Sequence, residues 1–233
     1  MSDTIKGFDT DQTLTKADAV AFSDDGFQWV GRYISPGFQI TKTEYNDMIT
    51  EGLLVGFFYE VASMVEGSNG EGIANCNSWD PSALGTQTGL TAAQYAVSKM
   101  DEVLADVTST GTKIAVFLTL DTPGCSGLSC NWGTPYAQQF VRSFLEHIAG
   151  SKYATGMMGG QEAGSTYNGV FKSNLDWGLT AYSSPDYVWA SGGTSDGGYP
   201  LWQPGETGTL NGINYDLDYS ANYNAFGIPV AIT

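Results

Sequence analysis

The stretch from Lys113 to Cys130, KIAVFLTLDTPGCSGLSC, constrains the fold more than any other part of the chain. Ile114 to Leu120 is an unbroken apolar, β-favouring run. A strand with one wet face would alternate, so this one is expected to be covered on both sides, as in a parallel sheet. Asp121 stands where that strand should emerge, followed by Thr122, Pro123, Gly124 and a loop closed by cysteines. In parallel α/β folds the groups at the carboxyl ends of strands are the ones that reach a ligand.

Other segments bring matching groups to strand ends. Ile5 to Asp9 (IKGFD) reads as a short strand ending in Asp9, with Asp11 just beyond. Thr15 is placed to cap a helix, with Asp18 in the capping-box position, running to about Asp25 and ended by Gly26. Phe27 to Ile34 (FQWVGRYI) is the second strand and leads into the turn Ser35-Pro36-Gly37. Thr43 starts a short helix that stops at Gly52. Leu53 to Glu60 (LLVGFFYE) is the third strand and again ends in a carboxylate.

A Gly/Asn/Ser-rich loop follows from about Val61 to Leu90, a length that in a compact domain points to the rim of a site or to disorder. Thr91 then caps a helix whose apolar residues recur at helical spacing as far as Val107. After the central strand, Thr134 and Pro135 open a helix to about Ala149, ended by Gly150. Ala154 to Gly160 is a fifth strand, followed by Gln161 and Glu162. A helix over Tyr167 to Tyr182 leads to a sixth strand, Tyr187 to Ala190, and the flexible loop Gly192 to Gly198. Pro200 to Gln203 and Asn214 to Tyr219 are the seventh and eighth. Eight strands mostly separated by helices predict a single α/β domain over residues 1–233, a (β/α)₈ TIM barrel. A 233-residue chain with 42% hydrophobic content can bury such a core.

Composition narrows the chemistry. A net charge of -16 argues against nucleic acid or an anionic membrane as partner, and no apolar run approaches a membrane span. Met1 to Lys6 has no basic start with an apolar stretch behind it, so no secretory signal is expected within the chain. Of three cysteines, Cys125 and Cys130 in CSGLSC can close a small disulfide ring beside Asp121, which points outside the cell; three free thiols in a reducing compartment is the alternative. Cys76 has no obvious mate. The single histidine, His147, sits inside a helix and is more simply a surface or cap residue. Clustered-histidine zinc sites and a Ser-His-Asp triad therefore have no candidates, and no nucleotide-binding motif is present. Neither a cofactor nor a metal is expected.

Carboxylates remain as the catalytic groups, and they recur at strand ends: Asp9, Glu60, Asp121, and Asp216 or Asp218. Tyr33, Tyr59, Trp202 and Gln203 lie beside them. Flat aromatic faces with carboxylates and amides suit a sugar ring, whose C–H face stacks while its hydroxyls hydrogen-bond; ordinary barrel packing is the alternative for each aromatic.

At these residues the chain resembles the glycoside-hydrolase-like TIM-barrel domain family of uncertain activity, distantly similar to the family 25 lysozymes that cleave peptidoglycan. The resemblance rests on GFDTD (Gly7 to Asp11), VGRYIS (Val30 to Ser35), LLVGFFYE (Leu53 to Glu60), VFLTLD (Val116 to Asp121), VWA (Val188 to Ala190), LWQ (Leu201 to Gln203) and YDLD (Tyr215 to Asp218), in order across nearly the whole chain. It implies a polysaccharide-facing groove at the strand ends. The lysozymes' first-strand carboxylate matches Asp9, their aromatic-Gln pair matches Trp202 and Gln203, and their last-strand Asp matches Asp216. Of their Asp-x-Glu motif, Asp121 matches the Asp, but Pro123 stands where the proton-donating Glu belongs. Either Glu60 or Glu162 supplies the acid from another strand, or the site no longer performs lysozyme chemistry.

Glycoside hydrolysis needs two carboxyls in different protonation states, ~5 Å apart in retaining enzymes and ~6.5–9.5 Å in inverting ones. Glu60 is the expected general acid, with Asp121 as base, nucleophile or charge stabiliser beside Asp9. Asp11, Arg32, Tyr33, Glu162, Trp202, Gln203 and Asp216 are the expected substrate contacts. Arg32 either holds a carboxylate ionised or makes a structural ion pair. The expectation is a monomeric cell-wall glycosidase, extracellular or wall-associated. A glycan-binding module that has lost the acid is the rival, and a structural or toxin-associated barrel is a third reading.

Overall fold

The structure, a computed structural model, describes residues 4–37, 39–60, 89–110, 112–119, 135–160, 186–191, 201–220, 226 and 229–232. In chain order its elements are β1 (Ile5–Asp9), α1 (Lys16–Asp24), β2 (Trp29–Tyr33), α2 (Lys42–Thr50), β3 (Leu54–Glu60), α3 (Gly89–Val103), β4 (Val107–Thr110), β5 (Ala115–Thr119), α4 (Pro135–Ala149), β6 (Ala154–Gly160), β7 (Tyr187–Ser191), β8 (Leu201–Gln203), β9 (Thr207–Leu210), β10 (Ile213–Ser220) and β11 (Pro229–Ile232).

The fold is mixed α/β, built on a curled sheet of eight strands in the order β1-β2-β3-β5-β6-β7-β8-β10, with β9 on the outer part of β10 and a further pairing between β1 and β10. Neighbours from β1 to β8 run parallel. The last strand departs from the expected all-parallel arrangement, because β10 is antiparallel to both β1 and β8. Residues 204–212 are too few for a helical crossover, which needs a dozen or more. They form β9 and a tight hairpin turn instead, with Asn211 (φ 52°) and Gly212 (φ 83°) both left-handed. With this strand reversed and four helices among the described residues, a complete (β/α)₈ arrangement is not seen. The helix expected over 167–182 lies outside the described residues.

Local chemistry explains the elements. Thr15 and Asp18 form the reciprocal capping box of α1. Thr41 rather than Thr43 caps α2, its side chain accepting from the Glu44 N–H. Helix α3 begins at Gly89, two residues ahead of the expected Thr91 cap, and gives way to β4, which the helical pattern through Val107 had concealed.

Alternation sorts each strand onto two faces. Phe8, Val30, Phe57, Tyr59, Val116 and Leu118 pack against helix residues such as Phe22, Tyr45, Met100 and Phe144. The inner face carries a second core, including Ile5, Trp29, Phe58, Phe117, Met158 and Leu201. Its large rings fit because glycines face them: a Cβ on Gly7 would overlap the Trp29 indole, and one on Gly156 would overlap Phe117. Phe226 stacks on Trp29 at 4.5 Å within this core, and β11 pairs with β4, which leads into the N-terminal end of β5. The amino end of the sheet therefore holds most of this hydrocarbon, while Asp9 and Glu60 stand on the inner face at the carboxyl ends of β1 and β3. No helix among the described residues is long and apolar enough to cross a membrane.

Candidate active site

Pairing of β1 with β10 sets Asp216 opposite Asp9 and Asp218 opposite Gly7. Directly opposed residues share a face, as do residues two apart, so all three aspartates stand on the inner face with Ile5. Gly31 and Tyr33 follow Trp29 on the inner face of β2, and Glu60 follows Phe58 on that of β3.

Asp9 is the best-defined member. It is 4% exposed, and Gln203 Nε2 donates to its Oδ2 at 2.6 Å. The Tyr33 hydroxyl approaches its Oδ1 at 3.5 Å, the outer limit of a hydrogen bond. Asp218, fully buried, stands opposite Gly7, one pleat deeper on the same face. Burial, and then the negative charge of Asp216, push the Asp9 carboxyl up to about 7, while the hydrogen bonds from Gln203 and Tyr33 pull the other way. Burial together with the charges of Asp9, Glu60, Asp218 and Asp216 holds the Tyr33 phenol well above its ordinary range, so it stays a donor. Four carboxyls thus converge electrostatically on one tyrosine.

Glu60 ends β3 half-buried, and its backbone N–H donates to Ser35 Oγ at 3.3 Å. Thr119 stands beside it in register, 3% exposed, with a hydroxyl that has no hydrogen-bond partner among the described residues.

Two expected substrate contacts face elsewhere. Arg32, between Gly31 and Tyr33 on β2, points to the opposite face; it is 1% exposed and its Nε donates to Glu44 Oε1 at 2.8 Å. Its Nη1 donates to the Thr10 carbonyl, and the same Glu44 oxygen accepts the Leu14 N–H at 3.0 Å. The structural ion pair, with Glu44 as partner, describes Arg32; it braces the chain leaving Asp9. Trp202 lies on the face of β8 opposite Leu201 and Gln203, where it stacks on Tyr219 at 5.4 Å. Tyr59 likewise faces the helices, against Phe144. Asp11 is exposed in the loop after β1. Asp121, Glu162, Pro123 and all three cysteines lie outside the described residues.

The β9–β10 hairpin runs past the end of β1 and clasps the loop after it. Thr10 Oγ1 donates to the Asn214 carbonyl at 2.8 Å, the Asn214 N–H to Gln12 Oε1 at 2.6 Å, and Asn211 Nδ2 to Asp18 Oδ1 at 2.6 Å. Asp216 and Asp218 were alternatives in the sequence; the period-two spacing Asp216, Asp218, Ser220 is the signal that both share the inner face. Nothing in the sequence marked Glu44 or Thr119. Among the described residues, no group of three or more His, Cys, Asp or Glu side chains is arranged to hold a metal ion.

No protein-family model matches the chain, and no curated protein does. Solved structures do share the fold. An uncharacterized B. stearothermophilus protein aligns over 96% of this chain and 99% of its own, at 15% identity and a TM-score of 0.60. A family 25 glycosyl hydrolase from Bacillus anthracis aligns over 94% and 89%, at 12% identity and a TM-score of 0.54. The Clostridium perfringens spore cortex lytic enzyme SleM aligns over 96% of this chain and 69% of its own, at 11% identity and a TM-score of 0.56. At these identities the likeness is one of fold.

Proposed function

We propose that the chain is a glycoside hydrolase acting on a cell-wall polysaccharide such as peptidoglycan, by carboxylate chemistry at the carboxyl ends of a closed barrel. The observation that carries this reading is the convergence of Asp9, Glu60, Asp216 and Asp218 on Tyr33 at the polar end of the sheet. The glycosyl hydrolase and the cortex lytic enzyme with the same fold support it.

Glu60, half-buried and open to water, is the proposed general acid. Asp121 is the proposed base, nucleophile or charge stabiliser. Asp9, fixed by Gln203 and Tyr33, stabilises positive charge developing on the sugar, with Asp216 and Glu162 as further polar contacts. The setting is a monomer working outside the cell or at the wall. Release of reducing ends from purified peptidoglycan tests the proposal: Glu60→Gln, Asp121→Asn and Asp9→Asn should each abolish or sharply lower it, and turnover unchanged by all three refutes it.

A second reading keeps the groove without the chemistry. Pro123, where the lysozyme resemblance calls for a Glu, favours a glycan-binding module. Retention on insoluble peptidoglycan with no release of reducing ends selects the module.

A further inference from the structure

We infer that Thr119 is a ligand-contacting residue of this site, its hydroxyl hydrogen-bonding a sugar hydroxyl held beside Glu60. Thr119 closes β5, in register with Glu60 on β3 and with Met158 on β6. Phe117, two residues earlier, belongs to the inner-face core, so alternation puts Thr119 on that face, one pleat nearer the carboxyl ends. Here the rings give way to polar groups. Phe58 is paired with Phe117 below, and Glu60 with Thr119 above.

A hydroxyl in that place needs a reason. Thr119 is 3% exposed, and its Oγ1 has no hydrogen-bond partner among the described residues. The other two buried threonines among those residues use theirs. Thr155 Oγ1 donates to Asp186 Oδ2 at 3.0 Å and accepts the Asp186 N–H at 2.9 Å, and Thr10 Oγ1 donates to the Asn214 carbonyl. A buried hydroxyl left unpaired lowers stability relative to a valine of the same shape. Met158 on one side offers only a weakly accepting thioether. On the other side, Glu60 is half-buried and ends its strand. Neighbouring strands run ~4.8 Å apart, so a sugar ring within reach of the Glu60 carboxyl is within reach of the Thr119 hydroxyl too. That hydroxyl supplies one donor and two acceptors, which a sugar hydroxyl matches.

The contact rests on the glycan reading above and holds for a cleaving or a merely binding site alike. Thr119→Val removes the hydroxyl and keeps the shape; Thr119→Ser keeps the hydroxyl. The urea midpoint of Thr119→Val should equal or exceed that of the wild type. Its affinity for purified insoluble peptidoglycan, or its release of reducing ends, should fall about 3- to 10-fold, the loss of one neutral hydrogen bond. Thr119→Ser should retain most of the wild-type affinity. A Thr119→Val protein that unfolds more readily than wild type, or does not fold, places the hydroxyl in the fold and overturns the inference. Wild-type protein that binds or cleaves peptidoglycan, with Thr119→Val its equal, overturns the contact alone. Wild-type protein that does neither overturns the glycan reading and the contact with it.

Discussion

Gln203 Nε2 lies 2.6 Å from Asp9 Oδ2, joining β8 to β1 across 194 residues of sequence. It donates to a carboxyl that is buried and faced by Asp216, so the ionised form of Asp9 leans on it. Replacing Gln203 with Leu should raise the Asp9 titration further. A hydrogen bond to a charged group contributes ~1.5–3 kcal/mol, so glycan turnover or binding should fall by roughly 10- to 100-fold. Gln203→Glu should be worse, since it adds a negative charge where a donor stood. NMR titration of Asp9 and peptidoglycan assays check both variants, and an unaltered titration in either removes Gln203 from its place.

The raised Asp9 carboxyl has a consequence for stability. Its folded value, about 7, exceeds the ordinary aspartate value of 3.8, so the folded state binds this proton more tightly than the unfolded chain. The contribution is full below pH 4 and is lost as pH rises through 7, amounting to up to about 4 kcal/mol. Asp9→Asn cannot ionise and should flatten the curve over that window, making the variant more stable than wild type at pH 8. Urea denaturation at pH 4, 6 and 8 measures the difference, and parallel wild-type and variant profiles would contradict it.

The buried pair of Arg32 and Glu44 holds the chain immediately after Asp9, through the Thr10 carbonyl and the Leu14 N–H. Removing one member leaves the other charged and dry. Arg32→Met or Glu44→Gln should each cost ~3–5 kcal/mol, whereas replacing both by apolar residues of similar volume should recover much of the loss. Chemical denaturation of the four proteins tests this. Single variants within about 0.5 kcal/mol of wild type would mean the pair holds nothing.

Much of this arrangement was legible in the sequence because it follows from local rules. The capping box at Thr15 and Asp18, the apolar strands and the carboxylates at their ends depend on near neighbours. The reversal of β10 does not follow from a count of eight apolar segments; it follows from the Asn-Gly turn at 211–212, where both residues take positive φ and the chain doubles back. The facing of Arg32 and Trp202 was missed for a different reason. Composition assigns a residue to a strand, but only the register of alternation decides whether it meets the ligand or the helices. Gly31 and Gly7 could have supplied that register, since an inner face crowded with rings needs glycine opposite them.

Gly31 carries the last prediction. It lies in register with Asp9 on one side and Gly56 on the other. A Cβ there would overlap the edge of the Phe58 ring and come within 2.9 Å of Asp9 Cβ. Neither neighbour can yield freely, because Phe58 is buried against Phe117 and Asp9 is fixed by Gln203. Gly31→Ala should therefore cost ~1–3 kcal/mol as overpacking and should also disturb the Asp9 titration. Phe58→Leu in the same chain should relieve most of the crowding, giving a favourable coupling of at least about 0.5 kcal/mol in a double-mutant cycle. Gly7→Ala, which meets Trp29 deeper on the same face, should destabilise without that coupling to Phe58. Strict additivity of Gly31→Ala and Phe58→Leu would show that the ring does not set the space beside Asp9.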